Sequence, residues 1–321
     1  MPPPRTISEL LGPDAPSNWG RWGDDDEVGS LNYLTPAEAL RGAAAIRTGQ
    51  SFTLQVPIGS PDVAADPVFP GRSSAVRTSV ADEGHFLRGE IEEPADGHHW
   101  ADDTIEMYLQ GSTQYDALGH LWYDGKIWNG YDAATTIGSL EKASVAAIGR
   151  RGVVGHGVLI DMARHRGVPT LRPGDTFTHH DLLAAAAAQG TTISDRDVLV
   201  VRTGRMGEFY RSSLEDFYAD FDEPGLTYSR ELVEWFQRME IPNLVTDLIA
   251  NEATYHPGTR LELPLHCALM RNLGVAFTEV CWLDDLADAC AADGRWTFLY
   301  TAAPLVVVGA SGSPVNPVVI R

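Results

Sequence analysis

Residues 110–131 read QGSTQYDALGHLWYDGKIWNGY and hold the densest set of polar, chemically useful side chains in this sequence. Gln110, Gln114, Asp116 and His120 follow one another at spacings of four, two and four residues. Even spacings place side chains on one face of a strand, and residues four apart share a face of a helix. The four groups can therefore converge on one small volume. The alternative is a polar strand edge before a hairpin, because Asp-Gly and Asn-Gly follow at residues 124–125 and 129–130.

The composition is that of an ordinary globular protein. The 321 residues suffice for one large or two modest domains, and 44% of them are hydrophobic. The net charge of −20 argues against nucleic acid or an anionic membrane as a partner, since both attract clusters of Lys and Arg. The sequence shows no signal pattern, no membrane-length apolar run and only three scattered cysteines. We therefore expect a cytoplasmic protein that acts on a small molecule.

Apolar runs alternate with helical patterns over the second half of the chain, which predicts an α/β fold. Residues 59–101 are rich in Pro, Gly, Asp and Glu, and predict a long loop of the kind that forms lids or binding loops. We expect an arm over residues 1–30 and a single α/β domain over residues 31–321. Helices are predicted at 35–48, 178–189, 229–239, 265–272 and 283–292, and strands at 51–58, 152–160, 197–201, 243–249, 274–278 and within 297–308.

The sequence lacks several common cofactor-binding and catalytic motifs, which reduces the number of candidate reactions. The chain has no GxGxxG at a strand–helix junction, no GxxxxGK[ST], no GxSxG and no HExxH. A nucleotide cofactor is therefore not expected. The remaining candidates are dispersed metal-ligand types, Asp116, His120, His266 and Glu279. Metal sites often combine imidazole and carboxylate donors from separate strands, although His266 and Glu279 taken singly fit ordinary structural roles.

A family resemblance gives these residues a common context. Residues 110–120 resemble the signature His-x-Gly-Thr-His-x-Asp-x-Pro-x-His of the metal-dependent cyclase family, which includes bacterial kynurenine formamidases and isatin hydrolase. The resemblance continues at residues 152–161, 197–204, 263–279 and 303–318, and so covers most of the chain. It implies the swivelling β/β/α fold with an N-terminal extension, assembled as a homodimer or higher homo-oligomer. The implied activity is hydrolysis of a C–N or C–O acyl bond in a formamide, cyclic amide or lactone.

The resemblance also implies roles for individual residues. Asp116 matches the carboxylate that ligates metal and supports catalysis, and His120 matches the general acid/base. His266 and Glu279 match the distal pair of metal ligands. Arg202 matches an arginine near the core of the sheet, and we interpret it as structural or substrate-facing.

Two aromatic residues extend the predicted site. Trp122 and Tyr123 directly follow His120 and are candidates to wall a pocket for a flat or cyclic substrate. Aromatic residues beside a hairpin are just as often ordinary packing.

The departures from the signature concern the ligands. Gln110 and Gln114 stand where the family has histidines, and Leu118 replaces the proline. A glutamine offers only a neutral amide oxygen, which suits Mg²⁺ or Mn²⁺ better than Zn²⁺. Three outcomes stay open. In the first, Asp116, His266 and Glu279 hold one metal with the glutamines assisting, and in the second the site prefers Mn²⁺ or Mg²⁺. In the third outcome the site binds no metal, and the glutamines bind substrate by hydrogen bonds. We expect one divalent ion, Mn²⁺, Zn²⁺ or Mg²⁺.

Two other functions remain alternatives to a hydrolase. One is a metal-independent cyclase, dehydratase or lyase of secondary metabolism, in which His120 and Asp116 act as acid and base. The other is a degenerate family member that binds a ligand without turning it over.

Overall fold

A computed structural model of the chain describes residues 3–59, 65–219 and 221–321. Residues 1–2 of the predicted arm and residues 60–64 of the predicted loop lie outside the described residues. The strands are β1 (Ser51–Thr53), β2 (Val76–Ala81), β3 (Asp102–Glu106), β4 (Gln114–Asp116), β5 (Val153–Asp161), β6 (Thr176–Phe177), β7 (Val198–Arg202), β8 (Gly225–Leu226), β9 (Asn243–Thr246), β10 (Ala276–Glu279), β11 (Thr297–Ala302), β12 (Gly312–Pro314) and β13 (Val318–Ile320).

The α-helices are α1 (Ile7–Leu11), α2 (Pro36–Ala45), α3 (Glu83–Leu87), α4 (Val145–Arg151), α5 (Met162–His165), α6 (His179–Gln189), α7 (Arg205–Phe209), α8 (Leu214–Tyr218), α9 (Arg230–Arg238) and α10 (Asp284–Asp293). Short 3₁₀ turns cover Gly29–Tyr33, Trp128–Gly130 and Ala133–Thr136, and a π-helix covers His266–Leu273. Among the described residues, no helix combines the length and apolar character needed to cross a bilayer.

One sheet organises the molecule. Its nine strands follow the order β1-β13-β11-β5-β7-β9-β10-β4-β12. The four strands β5, β7, β9 and β10 run parallel to one another, and antiparallel strands flank them on both sides. The alternation of strands and helices predicted from the sequence is thus confirmed as a mixed α/β fold.

Alternate residues of the central strands feed two separate hydrophobic cores. Leu199 of β7 and Leu244 of β9 belong to the core on one face, which α6, α9 and the π-helix cover. Val200 and Val245, one position further along each strand, belong to the core on the other face with α4 and α10. This two-sided burial explains why the central strands are near-continuous apolar runs.

Several predicted boundaries differ from the structure. The strand predicted at 51–58 ends at Thr53, and beyond it Gln55 forms only an isolated bridge to Cys281 before Pro57, which cannot donate to a ladder. The helix predicted at 35–48 ends at Ala45, because Ile46 adopts an extended conformation. The predicted loop at 59–101 contains β2 and α3, and β2 pairs with β3 as a separate two-stranded sheet.

The N-terminal residues cover the end of the π-helix. The side chain of Asn18 donates to the carbonyl of Leu273 at 3.0 Å, and the indole of Trp19 donates to the carbonyl of Arg271 at 2.9 Å. A helix end leaves carbonyl groups without partners, and these bonds supply them. The helix that begins at His266 is therefore fixed at its far end by Asn18 and Trp19.

Candidate metal centre

Two neighbouring strands bring three polar side chains together. β4 pairs antiparallel with β10, and Gln114 lies opposite Glu279. Because side chains alternate along a strand, Gln114 and Asp116 share a face, while Tyr115 points the other way. Tyr115 packs into the core, with its hydroxyl 3.2 Å from that of Tyr300. All of these side chains are buried.

A buried carboxylate holds His266 in position from behind. Oε1 of Glu252 lies 2.6 Å from Nδ1 of His266 and accepts the backbone N–H of His266 at 2.7 Å. Its other oxygen accepts the backbone N–H of Leu265 at 2.7 Å. The ring is thereby oriented with Nε2 3.4 Å from Oε1 of Glu279 and 4.0 Å from Oδ2 of Asp116. A carboxylate behind a histidine in this way is typical of metal ligands.

Unpartnered oxygen atoms converge at this point. Oε1 of Gln114, Oδ1 of Asp116 and Oε1 of Glu279 are buried without a hydrogen-bond partner among the described residues. A buried polar atom without a partner costs about 1–3 kcal/mol, so three in one place call for a ligand. Ligand atoms of Asp116, His266 and Glu279 lie within 4.8 Å of one another. This donor set fits a divalent cation.

The electrostatics of the cluster also favour a cation. Burial and the neighbouring Asp116 raise the pKa of Glu279 to about 7, and burial raises the pKa of Glu252. Burial disfavours the charged form of His266, but its hydrogen bond to Glu252 and the negative charges of Glu252 and Glu279 outweigh that effect and raise its pKa to about 10. The concentrated negative charge binds protons tightly in the metal-free protein, and a divalent ion would compete for the same atoms.

His120 lies beside the cluster on the loop after β4. Its Nε2 is 4.0 Å from Oδ2 of Asp116, and its Nδ1 is 3.4 Å from Nε2 of Gln110. The amide of Gln110 also donates to Oγ of Ser311 at 3.0 Å. Burial lowers the pKa of His120, despite the opposing effect of Asp116, so the ring is neutral near pH 7.

These groups open into one cavity of about 170 Å³. Its walls come from five segments of the chain, namely residues 69–72, 114–121, 249–250, 262–266 and the end of β10 at Glu279. The lining residues are Phe69, Arg72, Gln114, Asp116, His120, Leu121, Ile249, Ala250, Glu262, Leu263, His266 and Glu279.

The structure brings five of the residues singled out in the sequence to this cavity, Gln114, Asp116, His120, His266 and Glu279. Gln110 is placed differently. Its amide binds Ser311 and His120, and its side chain does not line the cavity.

The three residues predicted to bind substrate lie elsewhere. Trp122 is 42% exposed, and Tyr123 packs against the guanidinium of Arg271, 3.9 Å from its ring centroid. Arg202 forms ion pairs with Asp161 at 3.0 Å and Asp284 at 2.7 Å. None of the three lines the cavity. Trp122 and Tyr123 belong to the turn after His120, and this turn leads away from the edge of the strand. Arg202 is instead held by the carboxylates of Asp161 and Asp284.

Sequence reasoning missed the supporting residues. Glu252 sits in the sequence NEAT, where no spacing connects it to His266. Phe69 and Arg72 lie in the predicted loop, where the dipeptide Pro-Gly at 70–71 signals a turn but not its proximity to β4.

Comparisons with known proteins agree with this architecture. A family model described as "Putative cyclase" matches residues 52–253. A crystal structure described as a novel cyclase is 36% identical, with a TM-score of 0.85, and the match covers 95% of this chain and 100% of the other. No curated protein sequence matches the chain.

Two isatin hydrolases share the fold at lower identity. One, bound to the product analogue thioisatinate, is 18% identical with a TM-score of 0.57, and the match covers 89% of this chain and 98% of that one. Isatin hydrolase A from Ralstonia solanacearum is 19% identical with a TM-score of 0.56, and the match again covers 89% of this chain and 98% of that one. The swivelling β/β/α architecture implied by the sequence resemblance is therefore confirmed. The family model spans more than half of the sequence and the novel cyclase matches nearly all of it, so the chain belongs to the cyclase family.

Proposed function

We propose that the protein is an enzyme that hydrolyses a C–N or C–O acyl bond of a small molecule, such as a formamide, cyclic amide or lactone. The observation that carries this proposal is the convergence of unpartnered oxygens from Gln114, Asp116 and Glu279 beside Nε2 of His266. The cavity that holds this cluster is also lined by His120, whose pKa is lowered by burial and which is therefore suited to act as a general base near pH 7. The fold shared with proteins named isatin hydrolases supports the proposal.

Asp116, His266 and Glu279 would hold one divalent ion, with the amide oxygen of Gln114 as a fourth donor. Such an ion, when bound, polarises a carbonyl group and lowers the pKa of water at the site. Three oxygen donors beside one imidazole form a donor set that favours Mn²⁺ or Mg²⁺ over Zn²⁺. The four donors are buried, so the ion would be shielded from bulk water on the protein side.

His120 moves the proton in the proposed reaction. Water adds to the acyl carbon, and Nε2 of His120 accepts the proton that this water loses. The same nitrogen then delivers the proton to the departing nitrogen or oxygen, so that the products are a carboxylic acid and an amine or alcohol. This exchange requires the neutral ring to carry its own proton on Nδ1, which leaves Nε2, 4.0 Å from Oδ2 of Asp116, able to accept the proton of water.

The test combines metal analysis with turnover. Purified protein is loaded with Mn²⁺, Mg²⁺ or Zn²⁺, its metal content is measured, and a panel of formamides, cyclic amides and lactones is assayed before and after chelation. We expect about one metal per chain and activity that disappears with the metal. Full activity in a metal-free preparation would contradict the metal-assisted mechanism.

A substitution of His120 distinguishes the role of the proton carrier from that of the metal ligands. His120→Ala is expected to lower kcat by about 100-fold or more while the protein retains its metal. His165→Ala, at an exposed histidine of α5, is the matched control and should leave both quantities unchanged. Normal turnover by His120→Ala would remove His120 from the reaction.

A further inference from the structure

Arg72 is the feature of the cavity that the proposed chemistry does not use. It lines the same cavity as Asp116, His120 and Glu279. Water addition, proton transfer and metal binding are all assigned to other residues. A guanidinium carries five N–H donors and one positive charge, and it is suited to binding carboxylates.

In the part of the chain that the structure describes, one hydrogen bond and one ring contact hold the guanidinium, which leaves most of its N–H donors available. Nη1 donates to the backbone carbonyl of Gln110 at 3.0 Å, and the group lies 5.8 Å from the ring centroid of Phe69. Among the described residues, no carboxylate forms an ion pair with it within 4.0 Å, although 44 of the 321 residues are acidic. Glu262 also lines the cavity without forming such a pair.

The loop that carries Arg72 is built to fix its position. A turn joins Phe69 to Arg72, with the N–H of Arg72 donating to the carbonyl of Phe69 at 3.1 Å, and Gly71 adopts a φ of 93° that favours glycine. The buried carboxylate of Asp66, three residues before this turn, accepts the N–H of Gly59 at 2.7 Å and that of Ala75 at 2.8 Å.

A second set of contacts anchors this loop to the body of the protein. The hydroxyl of Tyr218 donates to the carbonyl of Val68 at 2.7 Å. Phe69 packs edge-on against Phe221, with ring centroids 5.3 Å apart. Side chains that bind ligands are most effective when neighbouring residues fix them in advance. Arg72 therefore has the support expected of a binding residue.

We propose that Arg72 binds an anionic group of the substrate, a carboxylate or its equivalent, and so makes this enzyme selective for acyl substrates that carry a negative charge away from the bond that is cleaved. This inference rests on the proposed function in that the reacting acyl group lies at the cluster of Asp116, His266 and Glu279. The two negative charges of Asp116 and Glu279 would balance the charge of a divalent ion. The positive charge of Arg72 is therefore available to the substrate. A paired contact with a carboxylate also orients the substrate.

The test measures binding rather than turnover. The probes are alkyl hydroxamates of two to four methylenes whose far end is either a carboxylate or the neutral carboxamide of the same shape. Their dissociation constants for the metal-loaded protein are measured by calorimetry. At the best chain length, we expect the carboxylate to bind about tenfold tighter than its carboxamide partner. Arg72→Gln should reduce this ratio to about one, while Arg72→Lys retains part of it.

Arg150→Gln is the control for a change in overall charge, because Arg150 is an exposed arginine in the last turn of α4. It should leave the ratio as in the wild type. The inference is overturned if the wild type shows no preference for the carboxylate at any length, or if the preference survives in Arg72→Gln. Absence of hydrolysis in the same preparations would contradict the proposed function and leave the anion site standing, because the hydroxamates need only bind.

Discussion

At the scale of single residues, Gln110 and Gln114 show what a motif position can and cannot reveal. Both replace a histidine of the signature, and the sequence alone treats them alike. Gln114 lies on β4 opposite Glu279, to which its amide donates at 2.8 Å, and its buried oxygen has no hydrogen-bond partner among the described residues. Gln110 precedes the strand and donates to Ser311, 201 residues away. Only Gln114 belongs to β4, so only its side chain is directed by the pairing with β10. No local spacing in the sequence predicts that Gln110 contacts a residue as distant as Ser311.

Glu252 is the residue whose removal should most clearly weaken metal binding without removing a ligand. Glu252→Gln replaces the carboxylate behind Nδ1 of His266 with a neutral amide that cannot accept the same set of N–H groups. We expect divalent-metal affinity to fall by about 10- to 100-fold, as for other supporting carboxylates of this kind. Competition with a chromophoric chelator measures the dissociation constant directly.

Glu262→Gln is the matched control, since Glu262 is an exposed acid of the same cavity outside the cluster. It should bind metal as the wild type does. Equal metal affinities for Glu252→Gln and the wild type would show that His266 does not depend on this carboxylate.

At the scale of elements, the edge strand β12 positions His120 indirectly. Gly312 pairs with Asp116, and an added Cβ would lie only 2.6 Å from Nε2 of Gln110. Gly312→Ala should therefore displace Gln110 and with it His120, lowering kcat by about tenfold and stability by about 1–3 kcal/mol. Gly258→Ala, whose added Cβ would meet only the ring of His256 at 3.3 Å, should change neither quantity appreciably. Steady-state kinetics and thermal melting of the two variants provide the comparison, and unchanged kcat in Gly312→Ala would contradict this role.

Helix α6 contains a buried histidine that links stability to pH. His179 begins the helix and stacks on Trp235 at 5.6 Å, and burial lowers its pKa. A base with a lowered pKa in the folded state contributes stability above its unfolded pKa of about 6.5 and loses it as the pH falls. The melting temperature of the wild type should therefore fall more between pH 7.5 and 5.5 than that of His179→Gln. Parallel pH profiles for the two proteins would show that His179 does not titrate in this range.

The elements that the sequence predicted well are those with strong local signals. α6 has a capping box between Thr178 and Asp181 and a left-handed Gly190 at its end, and the structure contains both features. The central strands were predicted because burial on both faces demands continuous apolar runs. The β2–β3 pair is not predicted, and the strand predicted at 51–58 is longer than β1, because short, exposed strands carry little hydrophobic periodicity.

At the scale of the whole molecule, the site exists only because the sheet brings distant segments together. Asp116, Glu252 and Glu279 belong to separate parts of the chain, joined through the order β9-β10-β4-β12. Strand order depends on long-range pairing, which periodicity does not encode. The class of the fold followed from the alternation of elements and the architecture from the family resemblance, but the cavity required the three-dimensional structure.

The central claim is that one divalent ion binds at Gln114, Asp116, His266 and Glu279. Anomalous diffraction from crystals grown with Mn²⁺ tests this directly, because it locates the ion by its own scattering. A second cluster, His179, His180 and Glu231, offers an internal comparison on the surface. We predict one strong anomalous peak in the cavity, about 2–2.3 Å from its ligand atoms. A peak only at the surface cluster, or no peak in the cavity at saturating Mn²⁺, would contradict the account.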